Sequence, residues 1–392
     1  MKGYLEKRSK DSWTIVLSLG RDPVTGKKRQ KWITVEGNKR RAERELTRLV
    51  NELNTGAYVD PAKFTVGEYL AKWLQDYALV NVAGKTFERY TSIVKHQLGP
   101  ALGSLPLAKL QPLHIQGAYS QMLQGGRKDG REGGLSAQTV LHHHRILRQA
   151  LQQAVRWQLL ARNPADAVEP PRPEQKEMRA YDETATAWLI DASQGTRLYI
   201  PVLLAVSAGM RRGEILAVRW RETNLISGAV SVCRSLEQTK IGGLKFKDTK
   251  SRHGRRPVSL PEITVEALRQ HKAAQDELKR LLGSDYQDND LVCCRGDGTI
   301  WPPNAFTSAF RVLLRRRGIA PMRFHDLRHS HASQLLRAGI SPKVISERLG
   351  HSKTSFTLDV YSHLLPGMQE EAARVTDAGL RVALEKQRRP VS

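Results

Sequence analysis

His325 and Arg328 stand three apart in HDLR, a spacing that places both on one helix face about a turn from each other. A proton carrier is thereby set beside a fixed cation. Further on, Gly339 ends an amphipathic helix carrying Ala332, Leu335 and Leu336, and a second helix starts at Ser341 with Pro342 in its first turn and stops at Gly350. His351 follows that stop directly. Tyr361 comes next, in the polar surroundings of LDVYSHL, where a core aromatic would have more apolar neighbours. A phenolate can be a nucleophile, a guanidinium can neutralise charge developing on phosphate oxygens through paired hydrogen bonds, and an imidazole can give or take a proton near neutral pH. Such a set can attack a phosphodiester without a carboxylate cluster.

Two other readings of the histidines compete. His325 and His329 have the i,i+4 spacing of a zinc pair, although HDLRH lacks the glutamate of HExxH and no third ligand is evident. Buried, hydrogen-bonded histidines are the other alternative. The wider pattern is more specific: GMRRGEILAVRW, then HDLRHSHAS, then ERLGHSKTSFTLDVYSHL resemble the catalytic signature of the tyrosine recombinases, phage-type integrases in particular. The resemblance implies Tyr361 as the nucleophile, Arg211 and Arg328 as the arginines on the scissile phosphate, and Glu214 as the acid that braces them. It also implies Lys250 as a mobile lysine that protonates the leaving oxygen, and His325 and His351 as groups that hydrogen-bond the phosphate or assist proton transfer. Arg212 and Arg219 compete with Arg211, which directly follows Gly-Met, and Lys245 and Lys247 compete with Lys250. No metal and no cofactor is implied, because the phosphodiester's energy is kept in a 3′-phosphotyrosyl link.

The 392 residues can hold two or three domains, each with its own core. Lys and Arg number 63 against 39 Asp and Glu, a net charge of +24 spread through globular segments and not gathered in a tail, which points to nucleic acid. Cys233, Cys293 and Cys294 form no CxxC and read as thiols in a reducing compartment. No apolar run approaches the length of a membrane span and the amino end lacks the apolar core of a signal peptide, so a cytoplasmic protein is expected.

The scaffold reads as multidomain α+β. Over residues 1–60, Trp13, Ile15, Val16, Trp32, Ile33 and Val35 are strand formers around turns, and Ala42, Leu46, Leu49, Val50 and Leu53 trace a helix, giving a small three-stranded β-sheet plus helix. Arg8, Lys10, Lys27, Lys28, Arg29 and Lys31 offer one face to phosphates. Residues 64–164 read as a four-helix module, opened by a capping box from Thr65 to Glu68 and followed by helices over 86–96, 112–123 and 136–158. Lys85, Arg89, Lys95, Arg145 and Arg148, with the run His142, His143 and His144, suit a DNA-facing surface or a solvated one. In the family, the first module binds arm-type sites and the second is the core-binding domain. The proline-rich stretch 165–177 reads as a linker with little to bury.

Residues 178–392 are the expected catalytic domain, mainly α with a small antiparallel sheet. Helices are expected over 182–191 and 198–207, with a bend at Gly209 that puts Arg211 at the start of the next. GAVSVCRS, GLKFKDTKS and RRPVSLP read as three strands, the last two paired as a β-hairpin with KSRHGR as its turn and Lys250 at its tip. Helices over 263–282 and 303–317 follow.

By resemblance, the chain is a site-specific recombinase that integrates and excises a mobile element such as a prophage. Its partners would be double-stranded DNA at core and arm attachment sites and three further copies of itself in a tetramer on that DNA, with a host bending protein and a directionality factor as accessory candidates. A type IB topoisomerase would use the same nucleophile and arginines, and a DNA-binding regulator with an inactive site would keep the basic modules but lose some catalytic groups. None of those groups is missing. A tail helix with Ala372, Val375, Gly379 and Val382 as its stripe would pack on its own domain or on a neighbouring protomer.

Overall fold

Strict alternation builds the amino-terminal sheet. Strands β1 (Gly3–Ser9), β2 (Ser12–Arg21) and β3 (Lys28–Glu36) are antiparallel in that order, with Leu5, Ile15 and Ile33 in register. Successive side chains point to opposite faces, so Leu5, Ile15, Leu17, Ile33 and Val35 share the side covered by Leu46, Leu49 and Val50 of α1 (Lys39–Asn54). The basic residues do not share one face as expected. Arg8 lies on the open side, where Nη1 donates to Thr34 Oγ1 (3.3 Å), whereas Lys31 alternates onto the helix side with Ile33 and Val35.

The computed structural model describes residues 3–9, 11–21, 28–54, 64–127, 130–174, 181–248, 254–351, 373–374, 376–381 and 383–384. It divides into two compact units, Met1–Glu174 and Gln175–Ser392. Lys10, Lys27, Lys250 and Tyr361 lie outside the described residues, as does the side chain of Arg29. Among the described residues, no helix is long and apolar enough to cross a membrane.

The helical module forms as its capping and periodicity dictate. Thr65 accepts from the Glu68 amide (3.2 Å) and Glu68 accepts from the Thr65 amide (2.8 Å), fixing the start of α2 (Val66–Trp73), which continues through a π-helical segment (Leu74–Ala78). α3 (Gly84–Ile93), α4 (Pro112–Gly125) and α5 (Ala137–Arg156) complete it. The core is Val66, Tyr69, Leu70, Trp73, Tyr119, Leu147 and Leu151 with their neighbours, and Trp73 stacks on Tyr90 at 5.6 Å. Burying each such large side chain contributes ~2–3 kcal/mol.

Two expectations fail here. His143 and His144 are buried, because they fall within the apolar stripe of α5 set by Val140, Leu147 and Leu151, and His144 Nδ1 meets the Tyr119 hydroxyl at 3.2 Å. The stretch from Pro164 is not all linker either. Ala165 and Val168 are in the module's core, and Asn163 Nδ2 donates to Arg148 O (3.0 Å), so a linker begins only after Val168.

In the second unit, α6 (Glu183–Ser193) is capped by Asp182, whose Oδ1 accepts from the Ala185 amide (2.7 Å), and α7 (Tyr199–Ala208) is buried on nearly every side. A helix apolar all round belongs in a core, and α7 is that core's centre. α8 (Arg212–Ile215) is a single turn. The strands depart from expectation: β4 (Thr223–Asn224), β5 (Ala229–Val232) and β8 (Arg256–Ser259) form one sheet, while β6 (Arg234–Thr239) pairs with β7 (Gly243–Asp248). The hairpin is therefore β6–β7, turned at residues 240–242 with Gly243 at φ +61°, and β7 does not pair with β8. SLEQT carries little apolar alternation, which hid this strand: Leu236 is its one buried residue.

Four longer helices follow among the described residues: α9 (Glu262–Leu282), α10 (Pro303–Arg316), α11 (Asp326–Arg337) and α12 (Pro342–Leu349). Phe324 sits edge-on to Phe306 (4.7 Å) and Phe310 (5.1 Å), and this aromatic anchor fixes the chain immediately before His325. Residues 373–374, 376–381 and 383–384 of the expected tail helix are helical and exposed, while Ala372, Val375 and Val382 lie outside the described residues.

Candidate active site

The last carbonyls of an α-helix have no partner within it and carry the negative end of its dipole. At the end of α12, three arginines from other segments supply the donors. Arg256 Nε donates to Arg348 O (2.6 Å), Arg328 Nη2 to Leu349 O, and Arg211 Nη2 to Gly350 O (3.3 Å). Arg328 Nη1 also donates to Gly209 O (2.7 Å), tying the end of α7 to the same point. Gly209 is required twice over: its φ is +63°, and a Cβ there would lie 2.5 Å from Leu349 Cδ2 and 2.7 Å from His331 Cδ2.

Arg211 sits just before α8, as the sequence predicts. Its backbone amide donates to Glu214 Oε2 (2.9 Å) and its Nη1 to Oε1 (2.7 Å). The Glu214 carboxylate is 2% exposed; burial alone would raise its pKa, but hydrogen bonds and charge from Arg256, then Arg211, bring it below the usual value. Arg328 is likewise 2% exposed, whereas the Arg211 side chain keeps 38% of its surface. The cluster thus opens along Arg211, with Arg328 as its floor.

His325 and His351 complete the group. His351 follows the left-handed Gly350 that stops α12, and burial, then Arg328, Arg211, His329 and Arg256, push its pKa down to about 3. His325, at the start of α11, meets His329 edge-on at 5.1 Å, and desolvation followed by His329, Arg328 and Arg211 lowers it to about 4. It keeps an exposed side, and the neighbouring charges push in the same downward direction as its partial burial. At neutral pH each ring is therefore uncharged, one nitrogen donating and the other accepting.

The competing residues point elsewhere. Arg212 Nη1 donates to Pro303 O (3.2 Å) and to Thr307, and Arg219 stacks over Phe246 at 5.7 Å. Lys247 pairs with Glu237 across the β6–β7 hairpin, and Lys245 is exposed. Two residues were missed from the sequence, Arg256 and Arg348, whereas His331 is the buried, hydrogen-bonded histidine that the sequence left open as an alternative. Arg348 donates to Ser207 O (2.7 Å), Ser259 O (2.9 Å) and His331 Nε2 (3.0 Å), so His331 carries its proton on Nδ1 and donates to Val206 O (2.9 Å). The alternation of Arg256 and Val258 with exposed Pro257 and Ser259 was the available signal that this arginine faces inward.

Of the proposed DNA contacts, Lys28, Arg89, Lys95, Arg145 and Arg148 are exposed, and Lys85 pairs with Glu88 at 3.7 Å. Arg145, Arg148 and Arg156 of α5 line a cleft of about 460 Å³ with Gln149, Gln152 and Tyr77, and Arg148 is held by Asp166 (2.6 Å).

Burial of neutral histidine makes the second unit acid-labile. His331 is pushed from 6.5 to about 4 by burial, then by Arg348. The unfolded chain takes up this proton near pH 6.5 and the folded one only near 4, so stability is constant above that window and falls with pH inside it. The loss is about 3 kcal/mol for this ring. Denaturant midpoints at pH 7.5 and 4.5 check this, and equal midpoints would refute it.

Residues 174–367 match the Phage integrase family, and residues 65–123 match the phage integrase N-terminal SAM-like domain. A tyrosine recombinase XerC-like protein of Caldanaerobacter subterraneus subsp. tengcongensis is 26% identical over 385 residues, 93% of this chain and 96% of that one. The ICEBs1 integrase of Bacillus subtilis is 30% identical over 254 residues, 64% of this chain and 68% of its own length. Among solved structures, the Tn1549 transposon integrase in complex with transposon right end DNA shares the fold at a TM-score of 0.68 and 17% identity, covering 80% of this chain and 100% of that one. The motifs, the fold and the relatives agree: the chain belongs to the phage integrase family of tyrosine recombinases, enzymes that cut and rejoin DNA at specific sites.

Proposed function

We propose that Tyr361 is the nucleophile of this recombinase and that Arg211, Arg328, His325 and His351 form the pocket for the scissile phosphate. The convergence of Arg211 and Arg328 on the end of α12, where His351 follows ten residues before Tyr361 in the sequence, is the observation that carries the reading. The Tyr361 oxygen bonds to phosphorus as the bond to the 5′-oxygen breaks, and Lys250 gives that oxygen its proton. Arg211 and Arg328 bear the charge on the non-bridging oxygens. The neutral histidines accept from tyrosine or donate to phosphate. Glu214 keeps Arg211 in place. A 5′-hydroxyl of the partner strand reverses the step, so neither ATP nor metal enters. A nicked suicide substrate carrying a core site tests this: the chain should form a covalent 3′-linked complex and join two sites. Relaxation of supercoiled DNA without joining would favour the topoisomerase reading, and no covalent complex would favour the inactive regulator.

In this reading residues 1–60 bind arm-type sites, residues 64–164 grip the core site through Lys85, Arg89, Lys95, Arg145 and Arg148, and residues 178–392 carry the chemistry. Arg8, Lys10, Lys27, Lys28, Arg29 and Lys31 serve the arm sites. The protein acts in the cytoplasm as a tetramer on attachment-site DNA, integrating and excising a mobile element, with a bending protein and a directionality factor assisting. A tail passed to a neighbouring protomer couples the four sites. Deleting residues 1–60 is expected to leave core-site binding and nicking within about threefold, while integration between two full attachment sites collapses. Normal integration by the shortened chain would show the sheet to be dispensable.

A further inference from the structure

Arg256 has no place in the chemistry described above, yet it is among the most thoroughly engaged side chains near the site. It is 7% exposed. Nε donates to Arg348 O (2.6 Å), Nη1 to Gly254 O and to Glu214 Oε1 (both 3.3 Å), and Nη2 to Glu214 Oε2 (3.0 Å). Only a guanidinium presents donors in this planar fork, and a lysine ammonium would have to choose between the carboxylate and the helix end.

We propose that Arg256 is a positioning residue: it clamps the Glu214 carboxylate to the carbonyl end of α12 and so fixes where Arg211 and Arg328 stand. The inference rests on the phosphate-binding reading of those two arginines. Each Glu214 oxygen accepts one bond from Arg256 and one from Arg211, so the carboxylate is filled from both sides. Arg211 holds Gly350 O and Arg328 holds Leu349 O, the carbonyls that follow the one Arg256 holds. Removing Arg256 leaves a buried carboxylate with Arg211 as its remaining countercharge among the bonds described. Arg211 is then drawn onto Glu214, and the end of α12 loses one of its three arginine donors. Arg256 is enclosed while Arg211 is open to solvent, so Arg256 acts on the phosphate only through its neighbours.

The test uses the full chain, a core-site suicide substrate, and three readouts: DNA affinity, single-turnover covalent complex formation at saturating protein, and thermal unfolding. Arg256→Lys is expected to bind DNA within about threefold of the parent but to cleave about 100-fold more slowly, a loss in the chemical step and not in binding. Glu214→Gln, Arg256→Met and the double variant close a cycle in which the double should cleave no more slowly than the worse single. Should Arg256→Met fail to fold, Arg256→Lys takes its place in the cycle, and its double with Glu214→Gln should again cleave no more slowly than the worse single. Arg256→Lys cleaving like the parent, or a double variant slower by the product of the single losses, would overturn the proposal. A parent chain that forms no covalent complex would instead sink the phosphate-site reading, and this inference with it.

Discussion

Tyr361→Phe is expected to form no covalent protein–DNA complex, a fall of at least about 10⁴-fold in cleavage, while binding core-site DNA as tightly as the parent. The substitution removes one hydroxyl and no positive charge, so the electrostatic part of DNA binding is untouched. Two tyrosines of the same unit are poor substitutes as nucleophiles. Tyr181 donates to Ala320 O (2.8 Å), and Tyr286 accepts from Gln275 (3.0 Å) beside Cys294; burial raises the pKa of both, which makes the phenolate harder to form. A covalent band that persists in Tyr361→Phe would assign the nucleophile to another residue. Mapping the DNA-linked peptide would then locate it.

Arg211→Ala and Arg328→Ala should each cost about 3–4 kcal/mol of transition-state stabilisation, because each withdraws a guanidinium from a phosphorane carrying extra negative charge. Their side effects should differ. Arg211 is partly exposed and Glu214 keeps Arg256 when it goes, so the folded state should lose only about 1 kcal/mol. Arg328 is buried and satisfies Gly209 O and Leu349 O, so its removal leaves two carbonyls without a donor and a cavity beneath the site. That variant should also lose several kcal/mol of stability. Single-turnover cleavage together with thermal unfolding separates the two effects. Near-normal cleavage by either variant would remove that arginine from the phosphate site, and equal unfolding losses would contradict the burial difference.

Much of this protein was readable before any coordinates. The stops and starts at Gly209, Ser341 with Pro342, and Gly350 placed Arg211 and His351 at helix ends, because glycine and proline act on the backbone within a few residues. The Thr65–Glu68 capping box and the apolar stripe beginning at Val66 were equally local. Spacing and motif order were enough to single out His325, Arg328 and Tyr361 as candidates for the chemistry. What the sequence could not decide were the long-range choices. Strand β8 pairs with β5, across the whole intervening β6–β7 hairpin, and not with the neighbouring β7. By contrast, the inward turn of His143 and His144 follows from their place within the stripe of Val140, Leu147 and Leu151, which is local. Arg211 could be told from Arg212 and Arg219 in geometry only once Thr307, Phe246 and Glu214 had taken their places around them. Arg256 becomes meaningful only when β8, α8 and the end of α12 are brought together, for a charge can be buried only where its partners converge from separate segments, and no local pattern records that convergence.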